Sequence, residues 1–461
     1  MATLTFAGAA GSVTGSRHLL NLTGGKMLLD CGLFQGHRRD ADSKNRTFLF
    51  TPADLTAVLL SHAHLDHTGN LPRLVKQGFA GKIYCTRATA ELAEVLLQDS
   101  ANIQQKDAEF YNRKHPAGPI EPLYTADDIA PVIARFCPVE YEDRFEPAPG
   151  ASARFIEAGH ILGSAQIELD WQENGSAHRL VFTGDLGRKN MPLVRDPAQP
   201  HAADTVIMES TYGNRLHAAG GNASAHLETV IRRTVKRGGK VFIPAFALGR
   251  VQEIASLLET LHNRDSIGRV PVYVDSPLAE KTTAVFSKNR RILDQDFGRQ
   301  SGQSDPFGAG WVQYISRQAD SVKLNALDTP AVIIAPSGMC EGGRILHHLR
   351  HNLSDPKNSV VLVGYQAEGT LGRRLSEGKR EVLVFGLPVK VRAEIVTAHE
   401  YSAHADYKDL TQYLKAFALP PRKVFLVHGE ADSARPLAAR LGRAGCAEHI
   451  HVAAYGETVT I

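Results

Sequence analysis

A cluster of potential metal ligands follows a short apolar segment near the N-terminus and constrains the fold more than any other feature. Segment 57–60 is apolar and has the length of a buried β-strand, and residues 62–67 then read His-Ala-His-Leu-Asp-His. A strand that ends here places the polar side chains in a loop rather than along a helix. Imidazole and carboxylate groups suit zinc, and their density suggests two ions. We therefore predict a metal centre, with a histidine-rich surface loop as the alternative.

The pattern of an apolar strand followed by a polar residue recurs along the chain. The polar residues at the ends of these predicted strands are Asp30, His160, Asp185, Glu209 and His428. A lone histidine at a strand end is more often a core residue than a ligand. The glycines on both sides of His160 favour a ligand, because they allow a close approach to a centre. Taken by itself, the position of Asp30 at the end of a strand would indicate only a turn residue.

The number of these groups fits a site for two zinc ions. The residues assigned to the first ion are His62, His64 and His160. The residues assigned to the second ion are Asp66, His67 and His428, with Asp185 between the two ions. Two adjacent ions can activate water and stabilise both the attacking and the leaving oxygen of a phosphoryl transfer. His404 remains as a candidate general acid because its pKa lies near working pH, and Glu209 is a candidate to orient it.

The pattern changes after Gly213 to uninterrupted apolar strands, each followed by a helical segment. These strands are predicted at 240–245, 270–274, 331–335 and 359–363. Such an alternation is typical of a parallel sheet that is covered on both faces. The strand-then-ligand pattern returns near the C-terminus, so we predict that this α/β domain is inserted into another. The predicted limits are 1–208 and 394–461 for the split domain and 209–393 for the insertion.

Glycine-rich loops follow the strands of the inserted domain, where parallel sheets bind their ligands. Segment 337–344 presents backbone N–H groups at the start of a predicted helix, a feature that favours anions. Arginines in equivalent positions strengthen the prediction, because guanidinium groups bind phosphate through two hydrogen bonds. The candidate phosphate-binding residues are Arg250, Ser337, Gly338, Arg344 and Arg373. Ordinary surface arginines are the alternative.

The composition is that of an ordinary globular protein. A chain of 461 residues with 43% hydrophobic and 22% charged residues predicts two to three domains. No segment approaches the roughly 20 apolar residues of a membrane span, and the first residues lack the features of a signal peptide, so we expect a cytoplasmic location. The five cysteines form no CxxC pair and are predicted to be reduced. A net charge of +3 neither favours nor excludes nucleic acid as a partner.

The order of these motifs resembles that of the metallo-β-lactamase superfamily. The matching positions are Asp30, segment 62–67, His160 and Asp185, while Glu209, His404 and His428 match three further motifs of its β-CASP branch. Segments 244–246, 275–277, 336–339 and 364–370 also match that branch. The resemblance covers nearly the whole chain. It is closest to bacterial and archaeal ribonucleases similar to the endonuclease subunit of the mRNA cleavage-and-polyadenylation machinery.

The resemblance implies an αββα sandwich that is split in sequence, with an inserted parallel-sheet β-CASP domain and two zinc ions (Zn²⁺). It implies cleavage of single-stranded RNA, mainly as an endonuclease, leaving 5′-phosphate and 3′-hydroxyl ends. Catalytic roles are then expected for Asp66, His404 and Glu209, a supporting role for Asp30, and RNA phosphate contacts for the loop residues given above. His428 favours RNA, because DNA-directed members typically lack the last histidine. A homodimer is plausible for the family.

Two features depart from the pattern of that family. Tyr401 stands where Phe is more usual, which is a conservative change. The chain also leaves no room for the N-terminal KH modules of some archaeal members or the long C-terminal extension of ribonuclease J. The missing extension weakens the case for processive 5′ exonuclease action.

Two other functions are compatible with a metal centre of this kind. A small-molecule hydrolase of the same superfamily, acting on a thioester or lactam, rarely carries a second α/β layer with glycine- and arginine-rich loops. A non-catalytic RNA-binding or scaffolding protein would need the metal only as a structural element. Closed structural zinc sites usually have four ligands and neither a bridging carboxylate nor a spare histidine. The sequence therefore favours the ribonuclease.

Overall fold

The computed structural model describes residues 1–36, 38–217, 223–294, 306–308, 310–364, 366, 369–398 and 403–461. The chain forms two compact units, Met1–Leu216 with Ala403–Ile461 and His217–Ser402, so one unit is inserted into the other. The predicted limits at 208/209 and 393/394 lie slightly before these junctions, and as domain limits they stay a prediction. Tyr401 and positions 365, 367 and 368 of the 364–370 motif lie outside the described residues.

The regular elements are numbered in chain order. The strands are β1 (Thr3–Phe6), β2 (His18–Leu22), β3 (Gly25–Leu29), β4 (Leu55–Leu59), β5 (Lys82–Cys85), β6 (Phe136–Pro138), β7 (Arg144–Ala148), β8 (Ala151–Glu157), β9 (Ala165–Glu173), β10 (Ser176–Phe182), β11 (Thr205–Glu209), β12 (Val241–Pro244), β13 (Val272–Val274), β14 (Val312–Tyr314), β15 (Val332–Ala335), β16 (Ser359–Val363), β17 (Glu381–Val384), β18 (Leu387–Lys390), β19 (Glu394–Ala398), β20 (Lys423–Val427), β21 (His449–Val452) and β22 (Thr458–Thr460). The α-helices are α1 (Arg38–Arg46), α2 (Leu65–Thr68), α3 (Leu71–Lys76), α4 (Arg87–Lys114), α5 (Ile129–Ile133), α6 (Ala223–Lys236), α7 (Arg250–Asn263), α8 (Pro277–Lys288), α9 (Gln318–Asn325), α10 (Arg344–Asn352), α11 (Leu371–Ser376), α12 (Tyr407–Lys415) and α13 (Ala431–Arg443).

Two seven-stranded sheets share the core of the first unit. Their strand orders are β22-β1-β2-β3-β4-β5-β6 and β21-β20-β11-β10-β9-β8-β7. Side chains from both sheets form one buried cluster, which includes Phe6, Leu59, Phe155 and Phe182. Because side chains alternate along a strand, every second residue of each sheet points into this shared layer.

Helices cover the outer faces of both sheets. Val58 of β4 packs with Leu97 of α4 on the outside of the first sheet. Met208 of β11 packs with Leu414 of α12 and Leu437 of α13 on the outside of the second sheet. Both faces of these strands are therefore buried, and the first unit is the αββα sandwich that the sequence predicts.

The second unit is built on a six-stranded sheet with the order β14-β13-β15-β12-β16-β19. All neighbouring strands in it are parallel. Ile243 of β12 lies in a core shared with α6, α7 and α8, whereas Phe242 of the same strand lies in a core shared with α10 and α11. Burial on both faces explains the uninterrupted apolar runs of these strands.

One helix is longer than the sequence pattern predicts. The apolar residues at 92, 95, 96 and 103 predict a helix over 88–107, followed by an exposed polar loop over 110–122. In the structure α4 continues to Lys114, so the loop prediction is wrong for residues 110–114. No proline or glycine interrupts these residues, so the helix continues although they are mostly exposed.

None of the helices in the described part of the chain combines the length and the apolar character that crossing a lipid bilayer requires.

The central strand β15 provides a test of the second core. Ile334 is fully buried there, so Ile334→Ala is expected to lower the free energy of unfolding of the second unit by about 2–5 kcal/mol. Val322→Ala, at a 60% exposed position of α9, is the matched control and should change it by less than about 0.5 kcal/mol. Urea unfolding followed by the fluorescence of Trp311, in a Trp171→Phe background, measures both. Equal unfolding midpoints for the two variants would contradict this core assignment.

Candidate metal centre

The candidate ligands lie just beyond the carboxyl ends of neighbouring strands. β10, β11 and β20 are adjacent and parallel, and they lead to Asp185, Glu209 and His428. β3 and β4 are parallel in the other sheet and lead to Asp30 and the 62–67 segment. Because the strands of each group run in the same direction, their polar ends converge.

One group of side chains surrounds the first candidate position. Nε2 of His62 lies 3.0 Å from Nδ1 of His64, and Nε2 of His160 lies 3.3 Å from the same atom. Oδ2 of Asp185 lies 3.5 Å from Nε2 of both His62 and His160. The potential ligand atoms of these four residues all lie within 4.8 Å of one another.

A second group lies on the other side of Asp185. Nε2 of His428 is 3.2 Å from Nε2 of His67 and 3.4 Å from Oδ2 of Asp66. Oδ1 of Asp185 is 3.3 Å from Nε2 of His67 and 3.4 Å from Nδ1 of His428. The two oxygens of Asp185 thus face different groups, in the manner of a bridging carboxylate. The structure brings together all seven residues that the sequence predicts as ligands, and their role as ligands stays a prediction.

The chemistry of these groups fits bound metal ions. His62 and Asp185 are at most 2% exposed, and Oδ1 of Asp185 and Nδ1 of His160 are buried without a hydrogen-bond partner among the described residues. Such groups are costly to bury unless a cation or hydrogen bond compensates them. Burial, followed by the neighbouring imidazoles, lowers the pKa of His62 and His160 well below the ordinary value. Both rings are therefore neutral, which is the form that binds a metal ion.

Asp30 and Ser61 hold two of the histidines in place. Oδ2 of Asp30 lies 2.7 Å from Nδ1 of His67, so this ring presents Nε2 to the centre. Ser61 donates its hydroxyl hydrogen to the same oxygen at 2.9 Å, and its oxygen lies 3.0 Å from Nδ1 of His62. That contact orients Nε2 of His62 towards the first group. One buried carboxylate thereby orients a histidine of each group.

A close backbone contact fixes the loop that carries Asp66. The amide of Ser16 donates to the carbonyl of Asp66 at 2.8 Å, and that of Cys31 donates to the carbonyl of His67 at 2.7 Å. A Cβ at Gly32 would lie 1.5 Å from the Asp66 carbonyl oxygen. Glycine is therefore required where the strand end passes the ligand loop.

His404 and Glu209 form a pair beside Asp185. Nδ1 of His404 lies 3.1 Å and 3.2 Å from the two oxygens of Glu209, which is fully buried. The amide of Leu186 also donates to Glu209 at 2.6 Å. Burial lowers the pKa of His404, but the carboxylates of Glu209 and Asp185 outweigh it and raise the pKa to about 9. A protonated ring with Nδ1 held by Glu209 can donate a proton from Nε2.

Thr211 and Ser61 contact the candidate ligands but are not singled out by the sequence. The hydroxyl of Thr211 lies 3.2 Å from Nδ1 of His428 and donates to its carbonyl at 2.9 Å. His428 has a φ of +46°, which is uncommon for a residue with a side chain. Ser61 immediately precedes the histidine cluster, and this position is its only sequence signal. Thr211 lies far from His428 in the chain, so no local pattern could reveal their contact.

The candidate phosphate-binding residues all belong to the second unit. Each of the three arginines is paired with a carboxylate: Arg250 with Glu253, Arg344 with Asp275, and Arg373 with Glu377. The hydroxyl of Ser337 accepts hydrogen bonds from the amides of residues 341 and 342, and the carbonyl of Gly338 accepts one from Gln366. Ser337 and Gly338 lie in the loop that ends at Arg344, whereas Arg250 and Arg373 lie in α7 and α11. Their phosphate-binding role stays a prediction.

Three family models match successive parts of the chain. Residues 18–224 match the metallo-beta-lactamase superfamily, and residues 251–375 match the Beta-Casp domain. Residues 388–453 match a Zn-dependent metallo-hydrolase RNA specificity domain. The first model covers most of the candidate ligands, and the third covers His404 and His428.

Curated proteins are similar over nearly the full length of the chain. Ribonuclease TTHA0252 of Thermus thermophilus is 36% identical, with 98% of this chain and 99% of the relative covered. Transcription termination factor FttA of Methanosarcina mazei is 33% identical over 94% of this chain and 68% of its own length. An RNase J-like protein of Methanocaldococcus jannaschii is 32% identical over 88% of this chain and 87% of its own.

A solved structure shares the fold. That of a protein of unknown function from Enterococcus faecalis V583 aligns over 100% of both chains, with a TM-score of 0.55 and 13% identity. At this level of identity the likeness concerns the fold alone.

Ser61→Ala tests the link between Asp30 and His62. Removal of the hydroxyl frees Nδ1 of His62 from its hydrogen-bond partner, and we expect the affinity for zinc to fall about 10–100-fold. Competition with a chromophoric chelator measures this affinity. Ser43→Ala, an exposed serine of the same unit, is the control. Equal zinc affinities for the two variants would contradict the proposed orientation of His62.

Proposed function

Because the chain belongs to the β-CASP branch of the metallo-β-lactamase superfamily, we propose that it is a zinc-dependent endoribonuclease that acts on single-stranded RNA. The matched RNA specificity domain and the relative named as a ribonuclease support the coarse assignment, a metal-dependent ribonuclease. One observation supports the two-metal form most directly: the buried carboxylate of Asp185 turns one oxygen towards each of two ligand groups.

The proposed roles of the residues follow from this arrangement. His62, His64 and His160 would hold one zinc ion, Asp66, His67 and His428 would hold the other, and Asp185 would be available to both. Two bound zinc ions would activate a water molecule and neutralise charge on the scissile phosphate.

The other residues provide proton transfer and positioning. His404 donates a proton to the 3′-oxygen as it leaves, and Glu209 holds the ring in the required orientation. Asp30 lies within hydrogen-bond distance of Nδ1 of His67 and orients this ring. Cleavage on this side of the phosphate leaves 5′-phosphate and 3′-hydroxyl ends. Homodimer formation and a cytoplasmic location stay predictions.

Incubation of the zinc-loaded protein with end-labelled single-stranded RNA and a DNA of the same sequence tests the function. We expect RNA fragments of internal length and no DNA cleavage. Asp66→Ala, which loses a proposed ligand of the second ion, is the control and should not cleave. Absence of RNA cleavage with two zinc ions bound would contradict the proposal and favour the small-molecule hydrolase or the non-catalytic binding protein.

Two substitutions separate proton donation from metal binding. His404→Ala should retain both zinc ions and lower kcat by about 10²–10⁴-fold, because it removes only the proposed general acid. Asp185→Ala should lose zinc as well as activity, because it removes the shared carboxylate. Zinc content by atomic emission and kcat on RNA measure both effects. His201→Ala, at an exposed position of the same unit, is the control. Full activity of His404→Ala would rule out its role as the acid.

A further inference from the structure

The hairpin of β17 and β18 in the second unit buries one face and exposes the other. Val382, Val384 and Val389 pack into a core that is shared with α10 and α11. Leu383 pairs with Pro388 across the hairpin, and both are exposed on the opposite face, as the alternation of side chains along a strand requires. This apolar face is therefore open to solvent.

The turn at the tip of the hairpin presents an aromatic ring from an unfavourable backbone conformation. Phe385 and Gly386 connect the two strands, with φ of +53° and +74°. Two positive φ values are typical of a type I′ turn, which strongly prefers Asn-Gly and is unfavourable for a bulky first residue. Phe385 is nevertheless 52% exposed, so little burial of its ring offsets this cost. Such a placement of an aromatic side chain points to a binding role.

The hairpin lies along α10, and its tip is at the edge of the sheet where ligands are expected. The ring of Phe385 lies 4.7 Å from that of His347, which is exposed in the first turn of α10. At the base of the hairpin, Ser354, just beyond the end of α10, donates to the carbonyl of Lys390 at 3.1 Å. Because α10 begins beyond the carboxyl end of β15, the tip lies at the edge where parallel sheets bind their ligands.

Segment 379–392, which contains the hairpin, is rich in unpaired positive charge. Its cationic residues, all of them exposed, are Lys379, Arg380, Lys390 and Arg392. None of them forms an ion pair or a side-chain hydrogen bond within the described part of the chain. Glu381, opposite Lys390 in the hairpin, is the only carboxylate of the segment. The hairpin therefore combines an exposed ring with an excess of positive charge.

We propose that this hairpin binds single-stranded RNA through a surface formed by Leu383, Phe385, Pro388, Lys390 and Arg392, which we call the hairpin surface. A nucleobase stacks on Phe385, and phosphates lie near the cations at the base. Exposed aromatic rings beside unpaired cations are the shared features of sites that bind single-stranded nucleic acid. The inference takes its polyanionic ligand from the proposed ribonuclease function, on which it rests, and adds a contact outside the candidate metal centre and outside the phosphate-binding residues predicted from the sequence.

Charge and size argue against a protein as the occupant. A second copy of the chain, bound through the same face, would bring these cations against their own equivalents. The exposed apolar side chains are also few, whereas a stable protein interface takes about 20–30 residues a side and is depleted in lysine. A polyanion with bases that can stack matches both the charge and the ring.

Phe385→Asn separates RNA binding from stability. Asparagine is preferred at this position of a type I′ turn, so we expect the variant to unfold at a temperature at or above that of the wild type. Loss of the ring should raise the Kd for a labelled single-stranded RNA about tenfold, whereas Phe385→Tyr, which keeps a ring, should stay within about twofold of the wild type. Fluorescence anisotropy measures the Kd in a zinc-loaded His404→Ala background, where cleavage is expected to be slow.

The salt dependence of the Kd tests the cationic part of the hairpin surface. Lys390→Gln should make the slope of log K against log salt concentration less negative by about 0.7, the value for one lost phosphate contact on a single strand. Lys236→Gln makes the same charge change at an exposed position of α6, which packs on the other face of the six-stranded sheet, and should leave the slope unchanged.

The outcomes separate this inference from the proposed function. An unchanged Kd in Phe385→Asn, a Kd that rises only with a fall in the unfolding temperature, or equal slopes for the two lysine variants would overturn the inference and leave the ribonuclease function intact. If Phe385→Asn does not fold, the slope of Lys390→Gln decides. A wild type that binds RNA with the expected variant effects but does not cleave it would contradict the proposed function and not the hairpin surface.

Discussion

The buried carboxylate of Asp185 is the group on which the candidate centre depends. It lies among the imidazoles of His62, His160, His67 and His428 with almost no contact with water. A carboxylate in such surroundings needs positive charge. Ring nitrogens of His62, His160 and His64, and those of His67 and His428, face one another at 3.0–3.3 Å, an arrangement that suits shared cations. The sandwich fold brings the ends of parallel strands from two sheets to one place, and these ends carry the side chains that would bind the cations. The surrounding serine, threonine and carboxylate contacts then orient each ring.

Much of this arrangement is predictable from the sequence because the signals are local. An apolar run that ends in a polar residue, as at Phe182 before Asp185 or Val427 before His428, marks both a buried strand and its functional end. The double-sided burial of β12 and β15 likewise explains their uninterrupted apolar runs. These features predicted the inserted parallel sheet and the full set of candidate ligands, whereas the αββα sandwich was implied by the resemblance to the metallo-β-lactamase superfamily.

Other features depend on contacts between distant segments and leave no local pattern. Thr211 meets His428 only after β11 and β20 pair. Arg344 looks like a phosphate ligand in sequence, because a glycine-rich loop precedes it, yet Asp275 reaches it from another strand end. The extension of α4 to Lys114 is a third case, since exposed residues can continue a helix without an apolar face that would predict it.

The proposed two-metal centre requires that Asp185 lie between two metal ions. Anomalous diffraction at the zinc edge, from crystals of the zinc-loaded protein, measures this directly. We expect two peaks about 3.5–4 Å apart, one beside His62, His64 and His160 and the other beside Asp66, His67 and His428, with Asp185 between them. A single peak with four protein ligands would indicate a closed structural site and would rule out a two-metal centre.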